Sequence, residues 1–510
     1  MKPYLNRRDF LKLAGLLPLS FAVPQLTRAF GASQLPQGEK KNVLLIIFDA
    51  LSAYHVPLYG YQRETMPNLA RLAGRAVVYH NHFAAGNFTT PGTASLLTGT
   101  LPWTHRAFRF GGTMAEPFAT RNIFHVFQNY YRIAYSHNPL VNTLFSQFLV
   151  DLDELIPLDK LLLANDGFIQ ALFNNDEDIA TVSWARAMKK KEDGYAYSLF
   201  LARLYEQYWD SRIAKFKPLF PGGLPSIRRD NYFLLEQAID WTESRLGDIP
   251  RPFLGYFHYM PPHFPYKTHR DFYGQFGNDG WKPVDKPVDL FTEDKSPEFL
   301  LARRTEYDEF LLYVDREFGR LCDYLEASGL LENTWVVFTS DHGEMFERGI
   351  WSHSTPVLYQ PVIRIPLLIF EPGRETGMDV HAPTSAIDVL PTLLSVTGQE
   401  IPDWVEGVVL PPYGQTSQDP NRSVYALQAR KTEQDTPIRE ATAMLVKGRY
   451  KLVNFFGYNE LVKSGERTEL YDIEADAEEL DDLYPARKET GAELLGELKS
   501  KLAEVNAPYA

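Results

Sequence analysis

The stretch KKNVLLIIFDALSAYHVPLYGY, residues 40–61, carries an apolar run across Asn42–Phe48 that stops at an aspartate, Asp49. The run is too short for a typical helix and shows no polar alternation, so it reads as a strand buried on both faces. The segments around it repeat one theme. MPNLARLAGRAVVYHNHFAAG (66–86) reads as helix then strand, and LLYVDREFGRLCDYLEASGLLENTWVVFTSDHGE (311–344) as helix, turn, strand and loop. RIPLLIFEPG (364–373) is a further apolar strand, and TSAIDVLPTLLSVTG (384–398) a helix. Strands alternating with helices predict a parallel α/β sheet, in which ligands sit at the carboxyl ends of the strands. Asp49 and Asp341 both fall at such ends.

Farther out, the pattern changes. Residues 140–245 are rich in helix formers and aromatics (YSLFLARLYEQYWDSRIAKF, 197–216) and read as a helical insertion capping the site. The charge run MKKKEDG (188–194) within it reads as a solvated face. LPPYGQTSQDPNRS (410–423) looks like a linker, residues 443–473 like antiparallel strands, and GAELLGELKSKLAEVN (491–506) like a closing helix. Residues 1–32 stand apart. Arg7-Arg8 followed by Asp9-Phe10-Leu11-Lys12, an apolar run interrupted by Pro18 and small residues near Ala32 describe an export signal of the twin-arginine type. The expectation is therefore an exported protein, periplasmic or extracellular, with no transmembrane span in the mature chain.

The 510 residues are 45% hydrophobic and 23% charged, a globular composition with a formal charge of −13. Such a surface disfavours a nucleic-acid partner. The single cysteine, Cys322, excludes an internal disulfide and sits at an apolar helical position, where a buried, inert thiol is expected.

NFTTPGTASLLTG (87–99) poses the chemical question. Pro91-Gly92 reads as a loop and Thr93–Thr98 as a short buried helix, with Thr89 and Thr90 just before it. The hydroxyls there could cap the helix, or one could attack an oxyanion held by the helix dipole. Elsewhere, FHYMPPHFPY (257–266) supplies His258 and His263, FTSDHGE (338–344) supplies Asp341 and His342, and WSHSTP (351–356) supplies His353. Carboxylates, an Asp-His pair and a hydroxyl suit a hard divalent-metal shell, and the other histidines could hold or protonate an oxyanion. His55, His80, His82, His105, His125, His137, His269 and His381 read as structural.

Taken together, NVLLIIFD, YGY with TMPNLARLA, LLTG, HYMPPHFPY, FTSDHGE, RIPLLIF and DVLPTLLSVTG resemble, in order, the sulfatase family of the alkaline phosphatase superfamily. The resemblance runs to ELYDIEADAEELDDLYP (469–485) and skips the helical segment. It implies an alkaline-phosphatase-like α/β sandwich with a central mostly parallel sheet, a helical insertion and a smaller C-terminal α+β subdomain. It also implies a metal-dependent hydrolase or transferase of sulfate or phosphate esters, with Asp49, Asp341 and His342 as metal ligands. The chain departs from the family in its nucleophile motif. Cysteine-type sulfatases carry Cys-x-Pro-x-Arg, whose cysteine becomes formylglycine. Aligned on Pro91, Thr89 stands at the cysteine position and Thr93 at the arginine position, so no formylglycine hydrate can form. Ala50 follows Asp49 where a second aspartate is frequent, no Lys-x-His follows YYRIAYSHN (130–138), and His353 stands where many sulfatases place a lysine. A threonine nucleophile with these histidines resembles phosphoethanolamine and phosphoglycerol transferases, which carry membrane-spanning segments.

These readings divide the chain into a signal peptide (1–32), a catalytic domain (38–415, with 140–245 inserted) and a C-terminal subdomain (420–510). The expected activity is cleavage of a phosphomono- or phosphodiester through Thr89. Thr89 joins the shell of one divalent ion (calcium, manganese or zinc), His263 or His353 protonates the leaving group, and His258 assists. Alternatives are a sulfuric ester hydrolase without formylglycine, a phosphoryl transferase, or an inactive binding protein. The partner would be a small-molecule, glycan-linked or lipid-linked phosphate or sulfate ester.

Overall fold

All seven residues of the Asn42–Phe48 strand are buried, because it lies inside a sheet with a core on each side. Val43, Leu45 and Ile47 enter one core, and Leu44, Ile46 and Phe48 enter the other. The unbroken apolar run is the alternation of a pleated strand whose two faces are equally dry. The computed structural model describes residues 40–163, 207–208, 210–227, 231–414, 419, 421–461 and 465–510. The export signal and the basic run of residues 188–194 lie outside the described residues, and Lys40–Ala510 forms one compact unit.

The main sheet has eight strands. Their order is Met378–Val380, Val77–Tyr79, Leu367–Phe370, Thr334–Thr339, Asn42–Phe48, Phe253–Tyr259, Tyr131–Ser136 and Glu154–Leu155. Only Leu367–Phe370 runs against its neighbours. The sequence gives it no crossover: between Thr339 and Leu367 the helical segment is the four-residue turn Gln360–Ile363, too short to carry the chain back to the sheet's other end. The sheet is thus mixed but mostly parallel. Helices Thr89–Thr98, Pro139–Phe145 and Val389–Val396 pack on one face, and Pro67–Ala73, Leu235–Asp248 and the 31-residue Pro297–Ala327 on the other. Cys322 is buried in this last helix, where desolvation pushes its thiol up and keeps it unreactive.

The segment expected as an insertion lies partly outside the described residues. Its described ends include the edge strand Glu154–Leu155 and most of the Leu235–Asp248 helix. Beyond the main sheet, strands Ser423–Gln428, Ala441–Lys447, Tyr450–Phe456 and Glu466–Asp472 form an antiparallel sheet. Val424, Met444 and Val453 on one of its faces join the main core, whereas Ala443, Leu445 and Leu452 meet Leu494, Leu498 and Leu502 of helix Lys488–Asn506. Among the described residues no helix is long and apolar enough to cross a membrane.

Pro91-Gly92 is not a loop. The helix spans Thr89–Thr98 and takes both residues into its first turn, where proline loses no hydrogen bond because that N–H has no intrahelical acceptor. Gly92 is there because of a close approach: a Cβ at this position would lie 2.2 Å from the carbonyl oxygen of Asp341. Any other residue would push the helix off the loop that follows the Thr334–Thr339 strand.

Candidate active site

Four neighbouring parallel strands deliver the polar groups at their carboxyl ends. Thr334–Thr339 leads to Asp341 and His342, Asn42–Phe48 to Asp49, Phe253–Tyr259 contains His258, and Tyr131–Ser136 leads to Asn138. The first two loops are stitched together. Leu51 N donates to Ser340 Oγ (2.9 Å), and Ala50 N donates to Asp341 Oδ1 (3.3 Å). Ala50 is held at φ 62°, a left-handed conformation that costs a non-glycine residue on the order of 1 kcal/mol. The bond to Asp341 and the one from Tyr307 Oη to Ala50 O (2.7 Å) hold it there.

Asp49, Asp341 and His342 are fully buried, and one ligand atom from each lies within 4.8 Å of the others. His342 Nδ1 donates to its neighbour's carbonyl, Gly343 O (2.9 Å), which fixes the ring and turns Nε2 inward. Nε2 then lies 3.4 Å from Asp49 Oδ1 and 3.6 Å from Asp341 Oδ2. Burial pulls the His342 imidazole down, but the two carboxylates overcome it and push it up to about 9. Burial likewise pushes Asp49 up, and His258, His263 and His342 reverse this and hold its carboxyl well below the usual range. Asp49 Oδ1 is buried without a hydrogen-bond partner. A carboxylate oxygen with no hydrogen bond among the described residues, facing a second carboxylate and an imidazole nitrogen, is a donor set short of a cation.

Thr89 Oγ1 is 3.3 Å from His342 Nε2 and accepts from Asn138 Nδ2 (3.2 Å). The capping alternative fails: the N-cap is Phe88, and no side chain caps this helix. Thr90 is engaged elsewhere, accepting from Gly111 N (3.3 Å). Asn138 was invisible as a site residue, because Asn-Pro before a helix reads as an ordinary N-cap. It is one, since Oδ1 accepts from Leu140 N (2.8 Å), and that bond assigns the amide and aims its NH₂ at the site. The same group donates to Asp49 Oδ2 (2.5 Å), so Asn138 bridges the carboxylate and the hydroxyl. Thr93, at the position where the family motif has arginine, donates to Asp341 Oδ2 (3.4 Å).

His258 Nε2 lies 3.2 Å from Asp49 Oδ2 and 3.8 Å from Asp341 Oδ2. His353 is buried, its ring 4.2 Å from that of His342 and 4.9 Å from that of His263. His263 is only half-buried and hydrogen-bonds Phe264 O (2.7 Å). Three imidazoles thus lead from the buried cluster to the rim. Nδ1 of His353 donates to the Glu344 carboxylate (3.1 Å), and burial keeps the imidazole below its ordinary value despite that neighbour. Burial raises Glu344, and His353 with the other imidazoles brings it below its ordinary value. Glu344 also escaped the sequence reading. It lies in FTSDHGE, where the Asp-His pair drew the attention. Histidines read as structural are engaged elsewhere: His55 with Asp308, His82 with Thr384, His105 with Ser95 and His125 with Asp151. His137 packs on Phe233.

Compared with known proteins, residues 41–399 match the family model for sulfatases, and residues 349–508 match that for the C-terminal region of N-sulphoglucosamine sulphohydrolase. The chain belongs to the sulfatase family and is an ester hydrolase of that family. It is 26% identical to an ulvan-active sulfatase of Formosa agariphila over 73% of this chain and 65% of the relative. It is 26% identical to a choline-sulfatase of Rhizobium meliloti over 87% of this chain and 82% of the relative. The phosphonate monoester hydrolase of Silicibacter pomeroyi shares the fold, with a TM-score of 0.62, 21% identity, and coverage of 92% of this chain and 96% of that one.

Proposed function

Starting from membership of the sulfatase family, we propose that this protein cleaves phosphate esters through a covalent intermediate on Thr89. The observation that carries the reading is the Thr89 hydroxyl, fixed by Asn138 beside His342 at the position where cysteine-type sulfatases carry the formylglycine precursor. Asp49, Asp341 and His342 would hold one divalent cation, with Thr89 Oγ1 beside it. The orphaned Asp49 oxygen and the short carboxylates fit calcium or manganese, and the imidazole fits zinc as well. Such a cation supplies positive charge that acidifies a neighbouring hydroxyl and offsets charge growing on the transferred group.

The chain's own residues account for the remainder. Asn138 holds Oγ1 at the helix N-terminus, where the first-turn N–H groups and the dipole favour the phosphoryl oxygens. Thr89 Oγ1, having given up its proton to solvent, attacks phosphorus in line, and the bond to the alcohol breaks on the opposite side. His263, the exposed end of the histidine row, protonates the departing oxygen. His353, hydrogen-bonded to Glu344, and His258 contact the transferred group from the buried side. Water then hydrolyses the phosphothreonine and frees Thr89. Export through the folded-protein route belongs to the same reading, supported by Arg7-Arg8 and the apolar run after them.

Sulfate-ester hydrolysis without formylglycine is the second reading, favoured by the activities named for the two relatives. Without an aldehyde hydrate to expel sulfate, a threonine sulfate would turn over slowly, whereas a phosphothreonine is open to in-line attack by water. Turnover of an aryl phosphodiester, phosphomonoester and sulfate with one leaving group, by one metal-loaded preparation, decides. Phosphoesters should lead, and a much faster sulfate ester would establish the second reading.

A further inference from the structure

Beside the site lies a pocket that the reaction above does not use. It encloses about 570 Å³, a size that takes a small-molecule ligand, and Ser354 and Thr355, directly after His353, form part of its wall. Asn87 ties that wall to the Thr89 helix by donating to His353 O (3.2 Å) and Thr355 O (2.6 Å). The C-terminal subdomain contributes Gln428, at the end of the Ser423–Gln428 strand, with Arg430 and Lys431 just beyond it.

The charges around the pocket are unequally matched. Arg109 pairs with Glu433, and Lys431 with Glu440. Arg430 has no carboxylate at ion-pair distance among the described residues. Its guanidinium lies over the ring of Phe110, 5.7 Å from the centroid, and that ring is 55% exposed. Gln428 Oε1 accepts from Tyr458 Oη (2.8 Å), which turns its amide NH₂ to the pocket as a donor. Glu460, on the same lining, offers an acceptor. The loop carrying Arg430 is also anchored in advance. The buried Arg106 guanidinium donates to Gln434 O (2.8 Å) and to the carbonyls of Glu433 and Thr436, and Gln434 reaches Thr113 O. Arg430 is thus an exposed guanidinium with no carboxylate partner among the described residues, on a loop whose main chain is held, and it is free to meet an anion in the pocket.

We propose that this pocket seats the alcohol half of the ester and selects a sugar that carries a carboxylate. Arg430 reads the carboxylate with its planar fork, and Gln428 and Glu460 bond the hydroxyls. The link from pocket to chemistry rests on the ester-cleavage reading, but binding of the sugar does not.

Calorimetric titration of the full chain with a uronic-acid disaccharide, and with the neutral disaccharide of the same linkage, tests the pocket without turnover. The acidic sugar should bind about ten- to a hundredfold more tightly, the range of one charge-assisted bidentate contact. Arg430→Gln should erase that preference, and Arg430→Lys should keep part of it. Equal or absent binding of the two sugars by the wild type, or an undiminished preference in Arg430→Gln, overturns the proposal. Phosphate and sulfate esters of the same sugars separate the two ideas. Arg430-dependent sugar binding without ester cleavage retires the reaction and keeps the pocket. Ester cleavage with no preference for the acidic sugar retires the pocket and keeps the reaction.

Discussion

Two regions of this molecule bury charge and resolve it in opposite ways. Where the C-terminal sheet meets the catalytic half, the buried acids Glu347 and Glu479 each have a fixed cation. Lys451 Nζ lies 2.5 Å from Glu479 Oε1, both essentially inaccessible, and Glu479 Oε2 accepts from Gln360 N (2.7 Å). Lys286 Nζ sits 2.9 Å from Glu347 and 2.8 Å from Glu478, with Arg304 3.4 Å from Glu347 on its other oxygen. At the strand ends, by contrast, Asp49 and Asp341 have only histidines as ion-pair partners among the described residues. The first network closes on itself and fastens two layers. The second closes only by taking protons onto imidazoles or by importing a cation. The difference separates a structural charge cluster from one kept open for chemistry.

The largest contrast should appear in turnover. Thr89→Ala is expected to lower kcat by about 10³-fold or more, the scale of losing a nucleophile, with Thr90→Ala within about tenfold of wild type and Thr89→Ser measurably active. Steady-state rates on one aryl ester would show it, and a dead Thr90→Ala beside an active Thr89→Ala would reassign the nucleophile. Next comes the closed network. Lys451→Met leaves Glu479 buried without its cation and should cost about 3–5 kcal/mol in chemical denaturation. The folded fraction should keep its turnover, and a loss of activity without loss of stability would mean that the two regions are not separate.

Smaller effects concern the open cluster. Added calcium, manganese or zinc at about a hundred times its Kd should stabilise the chelated wild type by about 2.7 kcal/mol and Asp49→Asn or Asp341→Asn not at all. Melting temperatures read this directly, and equal gains in all three proteins would place the cation elsewhere. The smallest is a pH effect. His342 is raised from its ordinary value to about 9, so its contribution is fully present below about 6.5 and is lost as pH climbs through 9. The chelated protein should therefore lose on the order of 3 kcal/mol across that window. The metal-loaded protein should not, since the cation takes the place of the proton. A chelated protein as stable at pH 9.5 as at pH 6 would contradict the assigned charge state.

Legibility followed the range of the interactions. Asp49 and Asp341 were readable because an acid directly after an apolar strand is a local signal. Thr89 needed its two-residue offset from Pro91, still local, to be told from Thr90. Asn138 and Glu344 were not readable. Their local surroundings, a helix cap and a tight turn after a strand, account for an Asn or a Glu without any further role.

The sequence by itself determined the strand run of Asn42–Phe48, the helix-strand alternation and the aspartates at strand ends, because periodicity and chain punctuation are properties of neighbouring residues. It misplaced the start of the Thr89–Thr98 helix, because the reason for Gly92 is the main chain of Asp341, far away along the chain. Packing alone sets which side chains the Thr89 hydroxyl meets. Thr89 meets His342 across 253 residues and Asn138 across 49. Such pairings are fixed by how layers pack, and no local pattern encodes the distance between two loops at the same edge of a sheet.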